Sequence, residues 1–286
     1  MRLATLDGRV VLRRGDGHVD VATASEGRFG PDPQAVYADW EAFAAWARVH
    51  PSEVAHPDAT IPTEAEGRWG PPVPGPAQIF AIGLNYRDHV AESGLTVPDE
   101  PAVFTKFASS LTGHRARVVL PEGSVDWEAE LVVVIGQRAH HVTREAAWSH
   151  VAGLTIGQDL SERRLQLAGP APQFSLAKSY PGFAPIGPEL VTVDEFDDPD
   201  DLELGCRLES GEVLQKSRTS QMIFDVPELI VRLSAVCPLL PGDLVFTGTP
   251  AGVGGARSPR KFLTPGDELL TWVEGIGTLR TSLHAS

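Results

Sequence analysis

The sequence has little cysteine and no excess of positive charge. Its 286 residues include 2 cysteines, Cys206 and Cys237, whose separation fits neither a metal-binding motif nor a disulfide framework. This fits a reducing cytoplasm, or a compartment in which the fold needs no bridges. Asp and Glu number 38 against 24 Lys and Arg, so the formal net charge is −14. Non-specific binding to nucleic acid or to an anionic membrane surface is therefore not expected.

Long hydrophobic runs are missing as well. No segment approaches the roughly 18 consecutive apolar residues that a transmembrane helix needs. The N-terminal sequence MRLATLD lacks the apolar centre of a signal peptide. The apolar fraction of 42% and the charged fraction of 22% are those of an ordinary globular protein. We expect a soluble protein in the cytoplasm, with no membrane and no nucleic-acid partner.

Three parts are predicted along the chain. Residues 1–70 form a small N-terminal α/β domain, with a hairpin at the start and a helix between Pro33 and His50. Residues 71–76 are proline-rich and form a stiff linker, because proline blocks both helix and sheet. Residues 77–286 form a larger β-rich domain with interspersed helices. The lack of a regular strand–helix alternation argues against a Rossmann or TIM-barrel architecture.

Local signals in the second half of the chain predict two turns and a helix. The near-identical segments 240–243 and 264–267, LPGD and TPGD, place Pro and then Gly at the centre of type II turns. A strand signal follows each turn. Residues 144–151 are predicted to form a helix with Thr143 as its N-cap.

Acidic residues interrupt an otherwise strong strand signal at residues 126–136, DWEAELVVVIG. Side chains alternate between the faces of a strand, so Glu128 and Glu130 project to one side, roughly 6.5–7 Å apart. Two carboxylates on a half-buried surface are costly unless a positive partner lies between them. A divalent cation such as Mg²⁺ would be the simplest partner for an all-oxygen site. The alternative is the exposed polar face of an edge strand.

Asp159 ends the short strand signal LTIGQ that precedes it. Its carboxylate could complete a three-carboxylate metal site with Glu128 and Glu130, which leaves other coordination positions for water and substrate. It could equally cap a helix over residues 161–167. The spacing alone leaves both possibilities open.

His89 and Glu92 stand three residues apart, just after the strand signal IFAIG. On a helix they would share a face, where the carboxylate orients the imidazole and raises its basicity. Such a pair could activate water as a general base. The alternative is an ordinary solvated helix surface, since His and Glu at this spacing are common.

Four further polar residues could contact a substrate. Arg163 and Gln166 stand three apart on the predicted helix, and the Arg163 guanidinium suits a carboxylate, although a surface salt bridge is the alternative. Lys178 lies between apolar segments, where a lysine could stabilise an oxyanion or simply be solvated. Thr249 lies in the glycine-rich loop TGTPAGVGG, which matches neither a P-loop nor a dinucleotide-binding fingerprint. We expect this loop to approach a small ligand closely, unless its glycines serve only tight turns.

The order and wording of several motifs together resemble the fumarylacetoacetate hydrolase family. The resemblance covers about residues 77–283 and rests on segments 83–89, 104–106, 126–131, 177–179, 187–188, 242–243 and 247–250, which read GLNYRDH, FTK, DWEAEL, AKS, GP, GD and TGTP. It implies an α+β, β-rich fold, a mixed β-sandwich roll with a small N-terminal domain, assembled as a homodimer. Residues 167–174 depart from the family pattern beside the expected pocket, so the resemblance leaves the substrate open.

The resemblance also implies roles for the candidate residues, with one Mg²⁺ or Mn²⁺ ion per chain and a water-activating dyad on a mobile lid segment. The implied metal ligands, catalytic residues and substrate contacts are, in that order, Glu128, Glu130 and Asp159; His89, Glu92 and Lys178; and Arg163, Gln166 and Thr249. The substrate would be a small 2-oxo acid.

These roles predict a metal-dependent hydrolase that cleaves a carbon–carbon bond in a 2,4-dioxo acid of the acylpyruvate or fumarylpyruvate type, giving pyruvate and a carboxylic acid. The nearest alternative is an oxaloacetate decarboxylase, which would use the same enolate-stabilising metal without an activated water. A hydratase or isomerase of related 2-oxo acids is another. A non-catalytic metal-binding protein that binds an oxo acid is a further alternative, against which the intact His89–Glu92 pair argues.

Overall fold

The computed structural model describes residues 1–15, 17–49, 60–62 and 69–286. Asp16 of the predicted N-terminal hairpin and His50, where the predicted first helix ends, lie outside the described residues. Among the helices that are described, none combines the length and the apolar character that crossing a membrane requires.

Strands dominate the described chain, and they are separated by short helices. The strands are β1 Arg2–Leu6, β2 Arg9–Arg14, β3 Gly17–Asp20, β4 Thr60–Pro62, β5 Trp69–Gly70, β6 Ile79–Gly83, β7 Ala102–Thr105, β8 Leu111–Thr112, β9 Arg115–Val119, β10 Val125–Asp126, β11 Ala129–Ile135, β12 Val151–Gln158, β13 Ser161–Glu162, β14 Ala184–Val191, β15 Glu203–Leu208, β16 Val213–Arg218, β17 Leu244–Phe246, β18 Glu268–Val273 and β19 Gly277–His284. The α-helices are α1 Val21–Ala24, α2 Trp40–Val49, α3 Arg87–Ser93, α4 Arg163–Gln166, α5 Phe174–Ala177 and α6 Val226–Val236. Short 3-10 helices lie at Ala35–Asp39, Ala108–Ser110, Arg144–His150, Val193–Glu195, Thr219–Gln221 and Gly254–Ala256.

Two large sheets hold most of these strands, and β10 and β13 form a separate two-stranded sheet. The larger is 12-stranded, in the order β4-β3-β2-β1-β14-β12-β11-β17-β6-β7, with β5 paired to β1 and β8 paired to β14. The smaller is 5-stranded, in the order β16-β15-β18-β19-β9. Parallel pairs, such as β17 with β6 and β19 with β9, stand among antiparallel ones. The predicted fold class, an α+β, β-rich mixed sandwich roll, is confirmed.

β11 lies in the interior of the large sheet, and both of its faces are buried. Leu131, Val133 and Ile135 pack into the core that the two sheets share. Val132 and Val134 pack on the opposite face, in the cluster that contains the apolar side chains of α2. The prediction of a half-buried strand is therefore wrong, since the polar face is covered too. Because β12 and β17 flank β11, the alternative of an exposed edge strand is also wrong.

The N-terminal strands belong to the same large sheet. β1 and β2 pair as the predicted hairpin, and β1 also pairs antiparallel with β14. The predicted helix in this part of the chain is formed by Ala35–Asp39 and α2. The sheet thus runs across the proline-rich residues 71–76, and the predicted division of the chain there stays a prediction.

The two predicted turns are confirmed, and one predicted cap is corrected. Gly242 and Gly266 have φ values of 85° and 97°, and each turn is closed by a backbone hydrogen bond, of 2.9 and 3.1 Å respectively. The first turn leads into β17 of the large sheet and the second into β18 of the small sheet. Residues Arg144–His150 form the predicted helix as a 3-10 helix, but the Thr143 side chain makes no capping hydrogen bond.

Candidate active site

Three acidic side chains meet at one end of the β11–β12 pair. Glu130 lies in β11, Glu128 stands just before that strand, and Asp159 follows β12. Antiparallel pairing brings the start of β11 beside the end of β12, and the Asp159 amide donates to the Glu128 carbonyl over 2.9 Å. One carboxylate oxygen of each residue lies within 4.8 Å of the others, and all three residues are buried. The structure thus brings the three predicted metal ligands together.

Two buried lysines supply positive charge to this triad. Lys178 Nζ donates to Glu128 Oε2 and to Asp159 Oδ2, each over 2.7 Å. It also donates to the Ser161 hydroxyl over 2.7 Å. Lys106 Nζ donates to Asp159 Oδ1 over 2.5 Å and to the Lys178 carbonyl. Lys178 therefore lies at the site, as the resemblance implies, and it is joined there by a second lysine.

Lys106 is a site residue that the sequence pattern did not single out. It follows β7, and its segment FTK is one of the motifs on which the resemblance rests, so that motif was the available signal. Burial lowers the pKa of Lys106, and the adjacent Lys178 adds to this effect, while Asp159 opposes both. Most lysines are solvated, so the residue type alone gave no reason to place this one beside an aspartate.

The triad carboxylates differ in their electrostatic surroundings. Burial disfavours the charged form of Glu128, but Lys178 and Arg163 outweigh burial and lower the pKa of Glu128 to about 2. The pKa of Glu130 is raised well above its usual range, by burial first and then by the charges of Asp159 and Glu128. The lysines thus balance the negative charges of Glu128 and Asp159, whereas Glu130 has no such ion pair within the described residues.

Glu130 is the member of the triad that forms no ion pair among the described residues. Across the described chain no lysine or arginine forms an ion pair with it, and its Oε2 accepts a hydrogen bond from the Gly248 amide over 2.8 Å. A divalent cation beside the three carboxylates would remove the repulsion that raises the pKa of Glu130. The donor set contains oxygen alone, which suits Mg²⁺ or Mn²⁺ better than a softer metal. The residues present therefore fit a hard divalent ion.

Arg163 reaches the triad from α4 and is held on three sides. Its Nη2 lies 2.7 Å from Glu128 Oε1, and its Nε donates to Asp126 Oδ2 over 2.8 Å. Its Nη1 donates to Gln166 Oε1 over 2.9 Å, so the predicted pair faces the site together. The surface salt bridge that was the alternative for Arg163 is therefore wrong. Asp126, which was not predicted as a site residue, also accepts from the amides of residues 254 and 255.

The N-cap of α4 is Glu162. Its side chain accepts hydrogen bonds from the amides of Arg164 and Leu165. The alternative that Asp159 caps this helix is therefore wrong, and the helix is shorter than the predicted residues 161–167. The Asp159 carboxylate is instead available to the lysines and to a metal.

α3 presents the predicted histidine–glutamate pair. His89 Nδ1 lies 3.2 Å from Glu92 Oε2, as expected for side chains three residues apart on a helix. Glu92 also accepts from the Gly252 amide, over 3.0 and 3.1 Å to its two oxygens. A carboxylate at Nδ1 favours the tautomer with the proton on that nitrogen, which leaves Nε2 free to accept a proton. The mobility of this helix stays a prediction.

Asn85 fixes the segment that leads into α3. Its side-chain amide donates to the carbonyls of Phe224 and Thr247 over 2.9 and 2.7 Å, and its Oδ1 accepts from the Phe224 amide over 2.8 Å. These bonds hold the start of α3 against the end of β17. Asn85 therefore positions the histidine–glutamate pair, a role that the sequence pattern did not reveal.

Thr249 lies in the glycine-rich loop that follows β17. Its hydroxyl donates to the Ala129 carbonyl over 2.9 Å and accepts from Gln215 Nε2 over 2.8 Å. These bonds fasten the loop to the start of β11. Thr249 lines the cavity described below but is only 4% exposed, so its contact with a substrate stays a prediction.

A cavity of about 560 Å³ unites these elements. Most of the predicted site residues line it, namely His89, Glu92, Glu128, Arg163, Gln166, Lys178 and Thr249. The remaining two, Glu130 and Asp159, complete the carboxylate triad of which Glu128 is the cavity-facing member. The predicted metal ligands, catalytic residues and substrate contacts therefore share one site.

The fold and the site define a class of protein, a mixed sandwich roll in which a buried carboxylate triad, a lysine and a histidine–glutamate pair surround one cavity. Residues 78–284 match the family model described as fumarylacetoacetate (FAA) hydrolase C-terminal. The chain therefore belongs to the fumarylacetoacetate hydrolase family, and the resemblance is confirmed.

Relatives of known activity differ in the reactions they catalyse. The chain is 44% identical over 210 residues to a mitochondrial oxaloacetate tautomerase, FAHD2A of Bos taurus, a match that covers 73% of this chain and 67% of the relative. It is 45% identical over 226 residues to 2,4-didehydro-3-deoxy-L-rhamnonate hydrolase of Sphingomonas sp. (strain SKA58), covering 78% and 79% of the two chains. The relatives are thus enzymes that include hydrolases and tautomerases.

Solved structures share the whole fold. A candidate HpcE protein from Mycobacterium smegmatis is 57% identical with a TM-score of 0.93, and the match covers 100% of both chains. Maleylpyruvate hydrolase from Sphingobium sp. SYK-6, in complex with manganese(II) ion and pyruvate, is 29% identical with a TM-score of 0.81, again over 100% of both chains. The fold of this chain is therefore also that of an enzyme that binds manganese.

Proposed function

We propose that the protein is a metal-dependent hydrolase that cleaves a carbon–carbon bond of a 2,4-dioxo acid, of the acylpyruvate or fumarylpyruvate type, to pyruvate and a carboxylic acid. The observation that carries this proposal is the shared cavity. His89 with its partner Glu92 faces the same space as Glu128 and Lys178. Decarboxylation needs no activated water and therefore has no use for a base oriented in this way.

Glu128, Glu130 and Asp159 would hold Mg²⁺ or Mn²⁺, which when bound supplies Lewis-acid stabilisation of the oxygens of a 2-oxo acid. Glu92 keeps the proton of His89 on Nδ1, so that Nε2 takes a proton from water. The resulting hydroxide attacks carbon 4 of the substrate, and the bond between carbons 3 and 4 breaks. The electron pair of that bond passes to the pyruvate fragment, which leaves as its enolate and is then protonated on carbon 3.

The remaining site residues act on charge and orientation. Lys178 places its positive charge beside the oxyanion that forms when water adds to carbon 4. Arg163, held by Asp126, presents a guanidinium to the substrate carboxylate, and Gln166 adds an amide beside it. Both lie on α4 at the cavity wall, so they would fix the substrate relative to the triad.

The comparisons support hydrolysis from two directions. One solved relative is a hydrolase described with manganese(II) and pyruvate, which is the product that the proposal assigns to this chain. Another relative is named for hydrolysis of a 2,4-didehydro-3-deoxy acid, whose carbonyl positions 2 and 4 are those of the proposed substrate class. One metal ion per chain, a homodimer and a cytoplasmic location remain part of the proposal.

A second candidate is oxaloacetate tautomerase activity, favoured by the 44% identity to FAHD2A. Exchange between the enol and keto forms needs the same enolate stabilisation, with a proton moved at carbon 3 and no bond between carbons broken. His89 could carry that proton without activating water. The two reactions therefore differ in their products and not in the residues that bind the acid.

A turnover screen with Mg²⁺ and Mn²⁺ tests the proposal. Acylpyruvates should yield pyruvate and a carboxylic acid, while oxaloacetate should be consumed at a lower rate. His89→Ala should lower kcat for acylpyruvates by about 10²- to 10⁴-fold, the usual contribution of a general base. The second candidate would be favoured if no acylpyruvate releases pyruvate and the enzyme rapidly interconverts the enol and keto forms of oxaloacetate.

A further inference from the structure

The cavity extends beyond the metal triad to a basic loop, residues 257–261, with the sequence RSPRK. Arg257 and Arg260 of this loop line the cavity, together with the apolar side chains of Leu84, Phe104, Val253 and Phe262. A volume of about 560 Å³ exceeds what pyruvate needs, so the substrate has room for a further group. The side chains of this loop would contact that group.

Two of the three cations on this loop share one carboxylate. Arg257 Nη1 lies 3.2 Å from Glu212 Oε1, and Lys261 Nζ pairs with the other oxygen of Glu212. Arg257 also donates to the carbonyls of Gly252 and Leu214 and lies over the Trp127 ring, so its position is fixed. Both of these cations therefore already have a carboxylate partner within the protein.

Arg260 differs from its neighbours on the loop. It is exposed, it lines the cavity, and no hydrogen bond or ion pair joins it to any residue in the described parts of the chain. The other cations of the cavity wall, Arg163, Lys178 and Arg257, each have a carboxylate partner. Among the described residues, Arg260 is therefore the arginine or lysine of this wall that has no carboxylate partner, and its whole guanidinium is open to an anion from solution.

The loop is also fixed relative to the triad. Asp126 accepts from the amides of Gly254 and Gly255 over 2.7 and 2.8 Å, and the same carboxylate holds Arg163. Arg163 and the segment that leads to Arg260 thus share one anchor. A substrate held by its 2-oxo acid end at the triad would lie in the same cavity that Arg260 lines.

We propose that Arg260 binds a carboxylate at the end of the substrate distant from the 2-oxo acid, so that the enzyme prefers 2,4-dioxo diacids to the corresponding monoacids. This inference rests on the proposed function, in which the acyl part of the substrate was left open. The planar guanidinium fits a carboxylate through two parallel hydrogen bonds, and the apolar side chains beside it accommodate the carbons between the two ends.

The test uses pairs of 2,4-dioxo acids that differ only in a terminal carboxylate or methyl group, with one to four methylene groups beyond carbon 4. For the best pair, Arg260→Gln should lower the ratio of kcat/KM for diacid to kcat/KM for monoacid about tenfold, the usual effect of losing one charge-assisted hydrogen-bonded pair at a partly exposed position. Arg260→Lys should retain part of the ratio. Lys261→Gln is the matched control, because it removes the same charge from the same loop at a residue that does not line the cavity, and it should leave the ratio within twofold.

Binding separates this inference from the proposed function. The affinities of the Mn²⁺-loaded protein for 2-oxoadipate and 2-oxohexanoate, measured by titration calorimetry, need no turnover. Tighter binding of the diacid that is lost in Arg260→Gln supports the inference even if no carbon–carbon bond is cleaved. Equal binding of the two acids, binding of neither, or a diacid preference that survives in Arg260→Gln would overturn it.

Discussion

Two buried glutamates of this chain, Glu130 and Glu189, have opposite surroundings. Glu189, on β14, accepts from Arg2 and Arg13 over 3.2 Å each, and His18 Nε2 lies 3.2 Å from its other oxygen. Burial favours the neutral form of Glu189, but these partners outweigh it and lower its pKa. Glu130 has carboxylates as neighbours, and its pKa is raised. Burial of an acid is common to both, and the presence or absence of a cation separates them.

This difference distinguishes a buried acid that stabilises the fold from one that indicates a metal site. The partners of Glu189 come from β1, β2 and β3, so its ion pairs fasten the N-terminal strands to the rest of the large sheet. Its charge is balanced within the protein and calls for no ligand. The triad around Glu130 is balanced on one side only, and a divalent ion would complete it. We expect the two glutamates to respond differently to every perturbation below.

The largest effect is expected from Glu130→Gln, which removes a metal ligand while nearly keeping its shape. Affinity for Mn²⁺, measured by titration calorimetry, should fall at least about 100-fold, more than the 10- to 100-fold typical of residues behind the ligands. Turnover should fall to background, as it should in wild type treated with EDTA. The metal-free variant should be at least as stable as metal-free wild type, because a repelled charge is gone. Unchanged Mn²⁺ affinity would remove Glu130 from the metal site.

Glu189→Ala should show the reverse pattern. The free energy of unfolding in urea should fall by about 2–3 kcal/mol, toward the lower end of what breaking a buried ion pair costs, because the Arg2 and Arg13 side chains are 23% and 36% exposed. Affinity for Mn²⁺ should match wild type within about twofold, since Glu189 has no contact with the triad. Loss of metal binding at unchanged stability would contradict the structural role of this glutamate.

The pH dependence of stability should separate the two acids when metal is removed. The folded pKa of Glu130 lies above its ordinary 4.5, so its contribution is present below that pH and is lost as pH rises through the folded pKa. The folded pKa of Glu189 lies below 4.5, so its contribution is present above that pH and is lost as pH falls.

The free energy of unfolding in urea, measured between about pH 3 and 8 with a chelator present, reports both the acid-side and the alkaline-side decline in stability. Glu130→Gln should flatten the decline on the alkaline side, and Glu189→Gln should flatten the decline on the acid side. Added Mg²⁺ should abolish the alkaline decline in wild type only. If stability declines equally on the alkaline side in wild type and in Glu130→Gln, Glu130 is not the acid of the triad whose pKa is raised.

The smallest effect is expected at Thr249, a buried polar group that is balanced within the protein as Glu189 is. Thr249→Val removes one acceptor of Gln215 Nε2 and the hydroxyl that donates to the Ala129 carbonyl, and should lower the free energy of unfolding by about 1–2 kcal/mol. Thr249→Ser keeps the hydroxyl and serves as the control. A raised KM at unchanged unfolding free energy would instead support the predicted substrate contact.

Site residues that lie close together in sequence could be predicted, and those whose partners lie far away in sequence could not. His89 and Glu92 lie within one helical turn, and Glu128 and Glu130 are two residues apart, so spacing alone could pair them. Asp159 joins them only because β12 returns antiparallel beside β11. Lys106, Asp126 and Asn85 were missed, since their roles depend on partners that lie far away in sequence, and single polar residues of these types are common on surfaces.

The sequence by itself determined the local features, which are the strands, the two Pro-Gly turns, the histidine–glutamate spacing and the family, because these depend on periodicity, turn chemistry and motif wording over a few residues. Tertiary structure alone decided that both faces of β11 are buried and that two lysines lie beside the triad. It also decided that Arg257 and Lys261 share Glu212, while Arg260 has no partner among the residues that the structure describes. The physical reason is that a charge acquires its cost or its function from the groups that folding places around it, and those groups come from distant strands and loops.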